Sequence, residues 1–199
     1  MTASGNESGD LPDFEGLLET SSRDKESKQA WLAAVATARK IAANGQPQRA
    51  VGELETIADE AAHEPDVLIA VADAFGALAR FEAAERALER ATRIGSDADA
   101  LRTARGVLFF RRGLYNEADA ELAEICLRHP QNGTAHYYRG EALSRLGRVD
   151  EAIDCLQVAI AVEPQDPRAY NSLGRLYDRK GRPDAAAAMY RTVRELGGS

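Results

Sequence analysis

The side chains that could do chemistry are few and scattered. Cys126 and His129 stand three residues apart and His136 follows seven later, a thiol and two imidazoles of the kind that ligate zinc. A structural zinc site takes four ligands, and no fourth is evident, although Cys155 could be near. Both cysteines read instead as small buried apolar residues, and no metal is expected. The acid pairs Glu82/Glu85 and Glu117/Glu121 fall on helix surfaces and read as solvated faces. The chain has no phosphate-binding glycine loop, no paired-histidine zinc helix, no serine elbow and no Cys-x-x-Cys. The expectation is a protein that is not an enzyme and carries no cofactor. What remains is a set of arginines. Arg111, Arg145 and Arg179 recur once every 34 residues, and a guanidinium fork binds a carboxylate through two hydrogen bonds.

The elements that must position these side chains follow from composition. The chain has 199 residues, 44% hydrophobic and 29% charged, with a net charge of −7. An acidic balance argues against a nucleic-acid module, which carries a clustered Lys/Arg face. Two cysteines are too few for a disulfide scaffold and point to a reducing compartment. No apolar run approaches the ~18 residues that span a bilayer, and the N-terminus lacks a basic and then apolar export signal. The expected location is cytoplasmic, without membrane insertion. Alanine dominates after residue 30, aromatics are 6%, and period-two alternation of Val, Ile and Thr is missing. The fold class is all-α.

The chain also repeats itself. Blocks of 34 residues laid from Trp31 cover 31–64, 65–98, 99–132, 133–166 and 167–199 without insertion or deletion. The twentieth place of each block is alanine: Ala50, Ala84, Ala118, Ala152 and Ala186. The eighth is small (Ala38, Ala72, Gly106, Gly140, Gly174) and the eleventh is bulky (Ile41, Phe75, Phe109, Leu143, Tyr177). The twenty-fourth reads Leu54, Leu88, Leu122, Leu156 and Tyr190. Small residues at places 8 and 20 let two helices of one block approach closely, and places 11, 24 and 27 fill the space between them. The fifteenth place (Gly45, Ala79, Gly113, Gly147, Gly181) ends the first helix, since glycine tolerates the left-handed C-cap. Glu82, Asn116, Asp150 and Asp184 at place 18 are expected to cap the second helix or favour its positive end. Pro130 and Pro164 stop that helix, and Asn132 and Asp166 continue the turn.

This spacing resembles the tetratricopeptide repeat, most clearly in GTAHYYRGEALSRLGRVDEAIDCLQVAIAVEPQD and in the block after it. The resemblance covers 31–199 and implies a right-handed α-solenoid of antiparallel helix pairs, a superhelix whose first helices line a concave face. Ala34, Leu68 and Arg102 depart from the aromatic favoured at place 4, which His136 fills in block four, and Arg105 and Arg139 depart from the leucine of place 7. Through places 2, 5, 9, 12 and 13, the resemblance implies a groove that includes Arg39, Asp73, Val107, Phe110, Arg111, Tyr137, Glu141, Arg145, Asn171, Arg175 and Arg179. Arg168 adds charge at the C-terminal end, and the N-terminal end is smaller and more apolar. Two readings of the arginines stay open: a site for an acidic or amphipathic peptide with apolar anchors toward block one, or an ordinary solvated face. Val35 and Arg39 stand where the chaperone-tail carboxylate clamp of this family carries Lys and Asn, so such tails are not expected as ligand.

Residues 1–30 are different material, with seven acids against three bases. They read as an acidic, largely disordered tail with a possible short helix at 10–19, where Leu11, Phe14, Leu17 and Leu18 could form one stripe. That segment could cap the first repeat over Trp31 and Leu32, bind a partner or the groove of the chain itself, or stay disordered. At the other end Arg191 and Arg194 replace residues that would dock a further repeat, and the array is expected to end at Ser199. The function expected is a non-catalytic adaptor or scaffold whose groove holds a segment of another protein. The alternative is self-assembly, with the acidic segment or a terminal repeat docking on another copy.

Overall fold

The computed structural model describes residues 14–197. Ten helices follow one another: α1 (Phe14–Ala43), α2 (Pro47–Glu60), α3 (Pro65–Ala77), α4 (Phe81–Arg93), α5 (Ala98–Arg111), α6 (Tyr115–Arg128), α7 (Gly133–Arg145), α8 (Val149–Val162), α9 (Pro167–Arg179) and α10 (Pro183–Gly197). No strand occurs among the described residues. Consecutive helices pair as α1/α2, α3/α4, α5/α6, α7/α8 and α9/α10, one pair per block. Each first helix also packs on the first helix of the next block, and each second helix touches that same neighbour. The result is an α-solenoid in which the odd helices form one continuous layer.

The closest approach within a block is between places 8 and 24. A Cβ placed on Gly106 would lie 2.6 Å from Leu122, one on Gly140 2.8 Å from Leu156, and one on Gly174 2.6 Å from Tyr190. Each glycine is a hole cut to receive the bulky residue of the partner helix. Leu54, Leu122 and Leu156 are fully buried there, as are the place-20 alanines Ala50, Ala84, Ala118 and Ala152.

Place 15 turns the chain. Gly45, Gly113, Gly147 and Gly181 have φ of +82°, +81°, +79° and +67°, and Ala79 joins them at +55°. One residue on, the amides of Gln46, Arg80, Leu114, Arg148 and Arg182 donate to the carbonyls of Ile41, Phe75, Phe109, Leu143 and Tyr177 at 2.9–3.2 Å, the wide hydrogen bond of a Schellman motif. The expected side-chain caps at place 18 are not made. The second helices start at place 17, after Gln46, Arg80, Leu114 and Arg148, none of which caps through its side chain. The acids Glu82, Asp150 and Asp184 lie inside the first turn, where only their charge acts on the helix dipole. The real caps serve the first helices: Asp97 accepts from the amides of Asp99 and Ala100, Asn132 from Ala135 and Asp166 from Arg168.

The arginines at places 4 and 7 are accommodated by ion pairs with second helices. Arg102 reaches Glu121 (3.2 Å) and Glu124 (3.0 Å), and Arg139 reaches Asp119 (2.8 Å), which also holds Arg148 at 2.5 Å.

The N-terminal boundary differs from the expectation. Residues 14–30, expected as part of a tail, continue without a break into the first helix of block one. The chain holds no glycine or proline between Gly16 and Gly45, so nothing in it ends a helix before Trp31. Lys28 pairs with Asp66 on α3, and Trp31 is half-buried against the first core cluster. Residues 10–13 of the apolar stripe expected at 10–19 lie outside the described residues, and so does any capping contact of residues 1–13.

Ala79 occupies a backbone conformation that costs an L-residue about 1–2 kcal/mol. Ala79→Gly is expected to stabilise the chain by about 0.5 kcal/mol, the relief being partly offset by the extra freedom of glycine in the unfolded chain. Gly147→Ala, with open space around it, is expected to destabilise by about 1 kcal/mol. Urea unfolding followed by circular dichroism measures both; equal midpoints for all three proteins would contradict the reading of place 15.

Candidate peptide-binding groove

The inner layer of odd helices carries the residues expected to form the groove, and the structure sorts them into three groups. The first is a bridge across three repeats. Arg39 of α1 donates to Asp73 of α3 at 2.5 Å and to the Ala70 carbonyl at 3.2 Å. Arg111 of α5 reaches the same carboxylate at 2.7 Å and the Asp73 carbonyl at 2.6 Å. Its other nitrogen donates to the Tyr138 hydroxyl at 3.1 Å, and its guanidinium lies 5.7 Å from the centre of that ring. Arg111 is only 17% exposed. Its seat depends on Gly76, since a Cβ there would lie 3.1 Å from the guanidinium.

The arginine ladder is therefore not uniform. Arg111 is a strut whose hydrogen bonds are used within the protein. Among the described residues Arg179 makes only long contacts, to the Ser144 carbonyl and hydroxyl at 3.4 and 3.5 Å. Arg145 is exposed and has no hydrogen bond or ion pair among the described residues. The equal spacing in sequence hid this because a partner such as Asp73 lies on another repeat.

The second group is buried. Val107 is 4% exposed and Glu141 7%, so neither offers a partner much surface, contrary to the expectation. Both stand at place 9, which α5 and α7 turn toward their neighbouring first helices. Glu141 pairs with Arg175, whose guanidinium donates to its two oxygens at 3.2 and 3.3 Å and to the buried Ser172 hydroxyl at 3.0 Å.

The third group is open to solvent. Asn171, Arg145 and Arg179 are exposed, and Arg175 is 54% exposed above Glu141. Phe110 and Tyr137 are half-buried in an aromatic cluster that also contains Tyr115 and Tyr138, with ring centres 5.0–5.8 Å apart. Arg168 lies over the Tyr137 ring at 4.9 Å. Tyr138 and Tyr115 were not expected at the groove; their neighbours on adjacent helices are set only by packing.

An apolar pocket of about 360 Å³ opens at the C-terminal ends of α1 and α3. Leu54 and Ala74 form its floor, Ala42, Ala43, Ala77 and Leu78 its walls, and Arg39 its mouth.

The cysteine and histidine constellation is broken up. His129 is exposed and its Nε2 meets Asp99 at 2.5 Å, whereas Cys126, Cys155 and His136 are buried. Among the described residues no group of three His, Cys, Asp or Glu could hold a metal ion. Burial pushes the Cys126 thiol up to about 11 and raises that of Cys155, so both stay protonated and unreactive.

Five helix pairs at a 34-residue period, each with a small residue at place 8, alanine at place 20 and a left-handed turn at place 15, agree with the family model named Tetratricopeptide repeat, which matches residues 103–161 and 142–199. The chain belongs to the tetratricopeptide repeat family. Tetratricopeptide repeat protein 13 of Homo sapiens is 35% identical over 78 residues, which are 37% of this chain and 9% of that protein, so the chain spans a small part of it. Among solved structures, MamA AMB-1 superposes with a TM-score of 0.56 at 25% identity, covering 83% of this chain and 98% of that one. MamA 41-end from Desulfovibrio magneticus RS-1 gives 0.57 at 19%, covering 83% and 93%, a likeness of fold. The tetratricopeptide fold is that of a protein–protein interaction scaffold. Among the described residues no helix is long and apolar enough to cross a membrane.

His136, at the aromatic place of its repeat, is 8% exposed, and neither ring nitrogen makes a hydrogen bond of ordinary geometry among the described residues. Burial pushes its pKa below the ordinary 6.5. Above 6.5 the ring is neutral folded or unfolded; below it the unfolded chain takes up a proton that the folded chain resists, so stability falls as pH falls. His136→Phe is expected to remove that slope. Urea midpoints at pH 7.5 and pH 5 test this: a slope unchanged in the variant would assign the acid sensitivity elsewhere.

Proposed function

We propose that this protein is a non-catalytic adaptor that holds an acidic or amphipathic segment of a partner protein along the inner face of its solenoid. The observation that carries the reading is Arg145, an exposed guanidinium with no ion pair among the described residues of a chain of net charge −7, with the solvent-facing Arg175 and Arg179 on the next first helix. Exposed cations on two adjacent first helices attract carboxylates, and the half-buried Tyr137 on the helix of Arg145 adds apolar contact. Toward the N-terminal end Arg39 and Arg111 share the Asp73 carboxylate and Arg111 is mostly buried, so that half of the face exposes less free charge and favours apolar side chains. Two free cysteines accord with a cytoplasmic setting.

The test is capture of partners by the full chain and by an Arg145→Glu/Arg179→Glu double variant, with bound proteins identified by mass spectrometry. Arg111 is left in place because its removal would strip Asp73 of a partner. A protein bound by the wild type, lost from the variant and weakened at least tenfold between 50 and 500 mM salt is the expected result. An identical set on both baits would make the arginines a solvated face.

A second reading, self-association, is favoured by charge. Residues 167–199 carry seven Lys and Arg against three Asp and Glu, while residues 1–30 carry seven acids against three bases. The acidic segment of one copy would dock on another copy. Sedimentation of the full chain is then expected to show concentration-dependent growth that deletion of residues 1–13 abolishes; a constant monomer mass would dismiss this reading.

A further inference from the structure

We infer that the pocket between α1 and α3 is the anchor subsite of the groove, taking one large aliphatic or aromatic side chain of a partner segment whose acidic residues lie over Arg145 about six to eight positions away. The inference rests on the groove reading above and adds to it a position, an orientation along the array and a spacing.

The pocket has a cause in the sequence. At places 12 and 13 the last three repeats carry Phe110 and Arg111, Ser144 and Arg145, Asp178 and Arg179. The first two carry Ala42 and Ala43, Gly76 and Ala77. The backbone repeats but four side chains are cut back to a methyl or less, and Gly76 is covered by Arg111. The volume left by the other three is the pocket. Its floor, Leu54 and Ala74, is buried and apolar, while Ala43 and Ala77 on its walls face solvent. Arg39 at the mouth donates to Asp73 at 2.5 Å, a carboxylate it shares with Arg111, so its charge is partly offset and the apolar lining below it selects what enters. An apolar hollow of about 360 Å³ is enough for one leucine, methionine or phenylalanine side chain.

Charge complementarity identifies the rest of the ligand. On the same layer of odd helices, α7 and α9 present Arg145, Arg175 and Arg179 to solvent. First helices of adjacent repeats are spaced at about 8–10 Å, so α7 lies roughly 20–25 Å from the midpoint of α1 and α3. An extended chain advances about 3.3 Å per residue, which gives about six to eight residues between anchor and acid. The ligand is thus a bipartite segment, apolar at one end and acidic at the other.

Selection of random 12-residue peptides displayed against the full chain tests this, with two variants for counter-selection. Ala77→Leu fills the pocket from a solvent-exposed position, and its melting temperature, unchanged or raised, shows that it folds. Arg145→Glu reverses the charge at the far end. Enriched peptides that pair a large apolar residue with acids six to eight positions away, and lose at least tenfold in affinity to each variant, are expected. Peptides weakened by Arg145→Glu but indifferent to Ala77→Leu would overturn the anchor and leave the groove standing. Recovery of no peptide sensitive to either variant would overturn both. A synthetic peptide of residues 8–22 that binds as tightly and is displaced by Ala77→Leu would make the occupant a second copy of this chain, overturning a separate partner.

Discussion

The contact between a glycine at place 8 and a leucine or tyrosine at place 24 sets the geometry on which the rest depends. Where Gly106 meets Leu122 and Gly140 meets Leu156, the two helices of a repeat come closer than any side chain larger than hydrogen would allow. That distance fixes how far each first helix is pushed toward the inner layer, and so which places along it see solvent. The first two repeats use Ala38 and Ala72 at the same place. Because every pair is built alike, small differences at places 9, 12 and 13 become the whole distinction between one stretch of the inner face and the next.

Those differences divide the face in two. In the first three repeats Asp73 collects Arg39 and Arg111, and the aromatic Tyr138 closes over the second of them. Two cations on one partly buried carboxylate leave a single net positive charge and tie three repeats together. A bridge of this kind stabilises only while all its members stay, because removing the carboxylate would leave two guanidinium groups facing each other. In the last two repeats Glu141 is matched by Arg175 alone, and Arg145 by nothing among the described residues. A face that is hollow and less charged at one end and more cationic at the other is a template for a segment that is apolar at one end and acidic at the other.

Legibility in the sequence followed the range of the interaction. Helix starts and stops come from neighbours within a few residues, and apart from the start of α1 the 34-residue period places them within one or two positions. The left-handed turn was legible even where alanine replaces glycine, because Ala79 sits in register with four glycines. Of the two roles open to the acids at place 18, only the interaction with the helix dipole is found, because the second helices begin one residue earlier and place 18 already lies inside the first turn. The extension of α1 to Phe14 was missed because acidic, serine-rich composition resembles a tail, while the absence of any breaker was the stronger local signal.

The candidate site was legible as a face and illegible as a set of partners. The sequence by itself determined the repeat, the all-α class, the layer of first helices and the approximate charge along it, since all of these follow from periodic side-chain size and sign. Only the tertiary structure decided that Arg111 is a strut and that Arg145 has no partner among the described residues, that Val107 and Glu141 are buried, and that three alanines enclose a pocket over Leu54. The physical reason is distance along the chain. Asp73 and Arg111 lie more than one repeat apart in sequence, and whether they touch depends on the angle at which successive helix pairs stack, which no local pattern encodes.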